Sequence, residues 1–477
     1  MMLNQSDIPL YQAIKSYKVR NNHSFHVPGH KNGNVFVSFA KSDFLEYMQM
    51  DLTELDGLDD LHAPDGVIEQ AQALASDWFQ SRNTYFLVNG STVGNLAMIM
   101  ATCQPGEEVL VQRNCHKSIL HGMELAGVRP IFLPPQYDRV KKRYTNPSQH
   151  VIHQAIEQYP AAKALMLTYP DYFGETFRLE DAIFMAHQHN IIVLVDEAHG
   201  CHFSIPHVPK RSAVELGADI VIHSAHKMTP AFTMAAFLHV QTERVDQEKL
   251  RYYLQMLQSS SPSYPIMASL DLARYYLAHF SEEHYQQLQQ YVMKLRSLLG
   301  DSSHWTVEES DDPLKISLRI INGNTNQVKK LFQKEKMYPE LTTDNHLLLV
   351  IGLEPVLEIA TMKAKVLRID NALSFSSNHA TIIESTDYFH EEITRLARSY
   401  ADMRALSMRW STWEKAIGEI AAEAIIPYPP GIPLLVKGEK ISTSAVRKVK
   451  QLMNEKISIQ PLNRENGLYI FDGSEGE

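Results

Sequence analysis

A chain of 477 residues is longer than one hydrophobic core ordinarily serves, so two or three domains are expected. Its 44% hydrophobic and 21% charged residues are the mixture of a globular protein with a sizeable interior, and a net charge of −10 without a basic arm argues against a nucleic-acid footprint. Three scattered cysteines (Cys103, Cys115, Cys201) and no C-x-x-C argue against a disulfide framework or a structural zinc site.

The opening M-M-L-N-Q-S-D-I-P-L lacks a charged region followed by an apolar one, and no apolar run is long enough to cross a bilayer. A cytoplasmic protein is expected. Residues 1–80 carry no repeated strand signal. Pro9–Lys18 reads as a short helix leading into H-V-P-G-H-K-N-G at His26–Gly33, where proline and two glycines mean an irregular loop. The acidic Asp51–Asp60 reads as a loop with a solvated face, and Ile68–Gln80 has helical spacing.

From Tyr85 short apolar runs alternate with helical segments. The runs are Tyr85–Val88, Glu108–Val111, Pro130–Leu133, Ala164–Leu167, Ile191–Val195, Ile220–Ile222 and Ala235–Val240, with helices such as Val93–Cys103, Val151–Gln158 and Leu179–Asn190 between them. Strands that are apolar throughout are buried on both faces, which predicts the α/β class with a mostly parallel, seven-stranded sheet between helices. Ligands of such sheets gather beyond the carboxyl ends of the strands. Asp271–Leu299 reads as one or two long helices. A smaller α+β portion follows, with strands near Lys315–Ile320 and His346–Leu353, a helix near Val328–Lys336, a last helix around Ala445–Glu455 and a terminal strand Gly467–Phe471. The expected division is an N-terminal segment 1–80, a large domain 81–295, a small α+β domain 296–400 and a C-terminal domain 401–477.

Four polar clusters follow apolar runs. N-G-S-T-V-G-N (Asn89–Asn95) joins a strand to a helix. Gly90 permits the turn, and Ser91 and Thr92 set hydroxyls beside the free N–H groups of the first helical turn, an arrangement that binds phosphate or merely caps the helix. I-I-V-L-V-D-E-A-H-G (Ile191–Gly200) puts the Asp196 carboxylate at a strand end. Without a G-x-x-x-x-G-K-[ST] loop, D-E-A-H is not a helicase signature, and His199, Cys201 and His202 fit no standard zinc spacing. The preferred reading sets Asp196 against a pyridine nitrogen, where it keeps the ring protonated. N-C-H-K-S (Asn114–Ser118) offers His116 as a face for a heteroaromatic ring. V-I-H-S-A-H-K-M-T (Val221–Thr229) offers Lys227 as an amine that condenses with a carbonyl, among His223, Ser224 and His226.

Together with D-L-T-E-L-D-G-L-D-D-L-H-A-P (Asp51–Pro64), S-S-S-P-S-Y-P (Ser259–Pro265) and P-Y-P-P-G-I-P with K-G-E after it, these stretches resemble the bacterial ornithine/lysine/arginine decarboxylases. The resemblance runs in order from about residue 25 to about residue 440, and is to the short form without an N-terminal wing domain. It implies the aspartate-aminotransferase fold (fold type I) with pyridoxal 5'-phosphate as cofactor. Lys227 is then the Schiff-base lysine, Asp196 the partner of the ring nitrogen and His116 the residue stacked on the ring. Gly90, Ser91, Thr92, Ser224 and His226 hold the phosphate, with Ala198 and His199 near the cofactor. Glu439 is implied near the distal cation of the substrate and His30 in the substrate site, with no metal. A homodimer or higher homo-oligomer with shared sites is implied, the N-terminal segment contributing to both and the Ser-rich stretch reaching the other subunit's phosphate region. No nucleic acid or membrane partner is expected.

The implied reaction is decarboxylation of a basic L-amino acid to its amine, arginine before lysine or ornithine, with His116 or Lys227 protonating Cα. Gly90-Ser91-Thr92 departs from the commoner Gly-Thr-Ser order, and Lys437 stands where proline usually precedes Gly-Glu, which bears on substrate choice. Lysine, aspartate and phosphate cup are equally those of an aminotransferase or aldolase-type lyase on this fold, and a catalytically silent regulatory relative is a further alternative. The P-G-H-K loop and the P-P-G-I-P…G-E segment favour the decarboxylase.

Overall fold

Eight short strands carry the main sheet: β1 (Asn83–Leu87), β2 (Glu108–Gln112), β3 (Arg129–Leu133), β4 (Ala164–Thr168), β5 (Ile192–Asp196), β6 (Ile220–His223), β7 (Ala236–Val240) and β8 (Thr394–Arg395). Their order is β1-β7-β6-β5-β4-β2-β3-β8 in this computed structural model, which describes residues 3–20, 23–374, 389, 392–396, 398–428, 431–454 and 457–472. The parallel pairs include β5–β6, β2–β4 and β2–β3. β7 is antiparallel to both its neighbours, β1 and β6. All seven apolar runs are strands of this sheet, and the two-residue β8, antiparallel to β3, is an addition from far along the chain. Every residue of β5 and β7 is buried, as expected of strands covered on both faces.

By its contacts the chain divides into two units, Met1–Thr102 with Ile192–Glu282, and Cys103–Ile191 with Glu283–Glu477. The first contains β1, β5, β6 and β7 with the helices Pro9–Val19, Val67–Phe79, Gly90–Thr102, Gln247–Leu257 and Tyr264–Ala278. Val67–Phe79 buries Ile68, Ala71, Gln72, Ala75 and Phe79, a single stripe at helical spacing. The acidic segment before it does more than face water. The Asp59 carboxylate accepts N–H bonds from Asp60, Asp65, Gly66, Ile68 and Glu69, satisfying donors of the first turn that the helix leaves unpaired. In the same unit, Asp271 accepts from the amides of Leu10 and Tyr11 at 3.2 and 3.3 Å and pairs with Arg274 at 2.8 Å, fixing the first helix through a fully buried ion pair.

The second unit contains β2, β3, β4 and β8 with the helices Lys117–Ala126, Gln149–Gln158 and Leu179–Gln188. It also carries an antiparallel sheet in which Lys315–Ile320 pairs with Trp305–Glu308 and His346–Val350, accompanied by the helices Thr325–Lys334 and Ile359–Ser374. Near the C-terminus Met408–Thr412 pairs with the terminal strand Gly467–Phe471, and the helix Thr443–Asn454 closes a core of Trp413, Ala421, Ile425, Leu435, Val449, Leu468 and Ile470. The long helical stretch expected after residue 270 is two helices, Tyr264–Ala278 and Glu282–Gly300. Among the described residues no helix is long and apolar enough to cross a membrane.

Candidate active site

In the first unit, β5 ends at Asp196 and β6 ends at His223, and the two strands run parallel with Asp196 opposite Ile222. Their carboxyl ends therefore deliver polar residues side by side. Asp196 is 3% exposed, and its carboxylate accepts hydrogen bonds from Asn95 Nδ2 at 2.9 Å and from the Ala198 amide at 3.1 Å. After β6 come Ser224 and the single helical turn Ala225–Met228, which carries Lys227. Lys227 Nζ lies 3.2 Å from His199 Nε2, on the turn that follows Asp196.

The helix Gly90–Thr102 starts where β1 ends. Gly90 holds φ +76°, a conformation that favours glycine, and its amide donates to the Met234 carbonyl at 2.9 Å. Ser91 Oγ and Ser224 Oγ are 2.6 Å apart, so the hydroxyls from the two loops converge at the helix N-terminus, while Thr92 is exposed beside them. Gly94 permits this helix to sit close over the sheet, since a Cβ there would meet Ile222 and Leu87 at 2.8 Å each. His226 donates through Nδ1 to the Ala235 carbonyl at 3.0 Å. Burial, partly offset by that carbonyl and reinforced by the Lys227 charge, holds its pKa below the ordinary imidazole value.

These residues fit pyridoxal phosphate. Two converging serine hydroxyls and a helix N-terminus suit a phosphate, an oriented buried carboxylate suits a ring nitrogen, and a lysine amine suits a carbonyl carbon. Sequence reasoning missed Asn95, although its position four residues after Ser91 puts both on one helix face.

In the first unit, His30 accepts the Gly33 amide at Nδ1 (3.2 Å), so its Nε2, 3.1 Å from Asp51, is the protonated nitrogen. The Ser-rich stretch lies by its own chain's strand-to-helix turn, the Ser259 amide donating to Asn89 Oδ1 at 3.3 Å. In the second unit, His116 caps the helix Lys117–Ala126 by accepting the Ser118 amide at Nδ1, at 3.2 Å. Three residues before it, Arg113 gathers the P-P-G-I-P…G-E segment. Its guanidinium donates to Pro433 O at 2.8 Å and Leu434 O at 3.2 Å, and grips both Glu439 oxygens at 2.7 and 2.8 Å. The Lys117 amide also donates to Gly431 O at 3.0 Å; Pro429 and Pro430 of this motif lie outside the described residues. Glu439, expected to face a substrate cation, is thus engaged by a guanidinium of the chain itself, in a pair whose side chains are 6% and 12% exposed. Lys437 bonds Glu124 at 2.6 Å. Among the described residues no cluster of His, Cys, Asp and Glu could hold a metal ion.

Residues 8–314 match the family model described as Orn/Lys/Arg decarboxylase, major domain, and residues 386–458 match that of the C-terminal domain. The chain is 42% identical over 464 residues to a Bacillus subtilis (strain 168) protein named only as uncharacterized protein YaaO, covering 95% of each. It is 30% identical over 473 residues to the arginine decarboxylase of Bacillus anthracis, covering 96% of this chain and 95% of that one. Among solved structures, the lysine decarboxylase LdcF of Francisella novicida aligns with a TM-score of 0.78 over 98% of this chain and 81% of its own, at 19% identity, a likeness of fold. With both family models matched in order over most of its length, the chain belongs to the Orn/Lys/Arg decarboxylase family.

Proposed function

We propose that the protein decarboxylates a basic L-amino acid, arginine before lysine or ornithine, to the corresponding amine and carbon dioxide. The observation that carries the reading is that Asp196 ends β5 while Ser224 and the turn bearing Lys227 follow the adjacent parallel strand β6, with Ser91 and Ser224 converging there and the Lys227 amine beside His199. Pyridoxal phosphate is the cofactor of the family, and when bound its protonated ring withdraws the electron pair left on Cα as carbon dioxide departs.

In this reading Asp196 keeps the proton on the ring nitrogen, and Asn95 and the Ala198 amide hold its carboxylate in place. Ser91, Thr92, Ser224, His226 and the turn at Gly90 take the phosphate. Lys227 anchors the cofactor, with His199 at its amine. His116 is assigned the ring face, and His30 the substrate site, on the resemblance alone. Lys227 or His116 returns the proton to Cα. Arg113 and Glu439 act as an internal tie for the loop that carries His116, and a substrate cation at Glu439 would compete with the Arg113 guanidinium.

Arginine is favoured by the likeness to the Bacillus anthracis arginine decarboxylase over nearly the full length of both chains. A cytoplasmic homodimer, the source of amines for polyamine synthesis, fits the exposed apolar row of the N-terminal segment, where Phe25 is 96% and Phe39 87% exposed. In this reading its domains are the segments 1–80, 81–295, 296–400 and 401–477. Ranking kcat/KM for arginine, lysine and ornithine on the holoenzyme tests the substrate. The expected order puts arginine first, and a preference for a neutral or acidic amino acid would refute the reading.

A further inference from the structure

Four buried side chains in the first unit form a polar chain that the proposed reaction does not use. Side chains alternate faces along a strand, so Glu197, His223, His239 and Thr84 lie on the sheet face opposite Asp196 and Ile222. Phe79 of the helix Val67–Phe79 covers them, its ring 5.3 Å from that of His223 and 4.5 Å from that of His239. Glu197, His223 and His239 are 0% exposed and Thr84 is 3% exposed.

The links are continuous. Glu197 Oε2 receives His223 Nε2 at 2.9 Å, Ser212 Oγ at 2.7 Å and the Ala213 amide at 2.9 Å. His223 Nδ1 meets His239 Nε2 at 3.0 Å, His239 Nδ1 meets Thr84 Oγ1 at 2.9 Å, and Thr84 Oγ1 meets Ser81 Oγ at 2.8 Å. With both imidazoles neutral and Glu197 Oε2 an acceptor, as it is for Ser212 and the Ala213 amide, one direction satisfies every link: Ser81 donates to Thr84, Thr84 to His239, His239 to His223 and His223 to Glu197. A proton on Glu197 Oε1 would leave that direction unchanged. Burial holds the His239 pKa well below its ordinary value, in keeping with a neutral ring.

We propose that this chain positions the cofactor site. It locks β1, β7, β6 and β5 together at the level where β5 delivers Asp196 and β6 delivers Ser224 and Lys227, and so sets the spacing of carboxylate and amine. Glu197, His223 and His239 are positioning residues that act through their strands. The inference rests on the reading that Asp196 and Lys227 hold the cofactor.

Glutamine can replace a neutral histidine here, because its amide donates from one atom and accepts at the other, whereas leucine can do neither. His223→Leu and His239→Leu are therefore expected to weaken cofactor Kd about tenfold and to shift the visible absorbance of the loaded protein, while His223→Gln stays within about threefold of wild type. In the apoprotein, histidine nitrogen NMR is expected to find both rings protonated at Nε2. If folded His223→Leu bound cofactor with wild-type affinity and spectrum, and lost only melting temperature, the chain would be packing alone and the proposal overturned. Nδ1 protonation of His239 would overturn it too. Should the leucine variants not fold, Thr84→Val removes only the hydroxyl that donates to His239. A cofactor Kd weakened about threefold supports the proposal, and an unchanged one overturns it. A wild-type protein that gains no visible absorbance with cofactor would instead refute the site reading beneath it.

Discussion

At the scale of single residues, Lys227 takes its meaning from its neighbours. A lysine alone is a surface charge; beside His199, and one strand from an Asp196 oriented by Asn95 and a backbone amide, it is the amine to which the proposed reaction assigns the carbonyl. Lys227→Ala is expected to abolish the visible absorbance of the cofactor-loaded protein and to lower kcat about a thousandfold or more, measured by spectroscopy and amine production. Asp196→Ala is expected to retain some cofactor but to turn over about a hundredfold more slowly, in the same assays. The strand-end position of Asp196 was legible because a short apolar run ends there, whereas Lys227, four residues past the end of β6, stood out only through its polar neighbours and the family resemblance. The Arg113–Glu439 pair was not legible, since its partners are 326 residues apart and nothing local links them. Removing one partner strands a buried charge, so Glu439→Ala is expected to cost about 3–5 kcal/mol in denaturant unfolding. The double variant Arg113→Ala/Glu439→Ala should cost less than the sum of the single ones.

At the scale of elements, strands were more legible than their connections. Seven apolar runs are seven strands, because a sheet covered on both faces leaves no room for polar alternation. Strand register is a different matter. That His223 meets Glu197 on one side and His239 on the other depends on pairings between separate segments, and no periodicity reveals it. The acidic stretch Asp51–Asp60 is the loop it read as, but its Asp59 is also a capping device for the helix that follows. Burial alone would raise the Asp59 pKa, but the amides of Asp65, Asp60, Gly66 and Glu69 outweigh it and hold it below the ordinary carboxylate value. A lowered folded-state pKa contributes stability above the unfolded value, and that contribution is lost as pH falls through the folded one. Asp59→Ala is therefore expected to cost about 1 kcal/mol at neutral pH. Its difference from wild type should narrow as pH falls below about 4. Denaturant titrations at several pH values check both.

At the scale of the whole molecule, the chain leaves its first unit after Thr102 and re-enters it at Ile192, so each unit is assembled from distant segments. Composition foresaw more than one body but could not foresee interleaving, which depends on strand order rather than on local sequence. The N-terminal segment presents Phe25, Val27, Val37 and Phe39, all more than half exposed, more apolar surface than a short loop ordinarily leaves in water. If a second copy covers this row, as proposed, Phe25→Glu with Phe39→Glu should convert a dimer to a monomer in light scattering. A protein that stays dimeric with both glutamates would place the interface elsewhere.

The stoichiometry of its products tests the proposed reaction most directly. Holoenzyme incubated with arginine, lysine or ornithine is expected to release one carbon dioxide per amine formed, with no keto acid, and Lys227→Ala is expected to release none. A keto acid formed in proportion to substrate consumed, or amine formation that survives Lys227→Ala, would contradict the account.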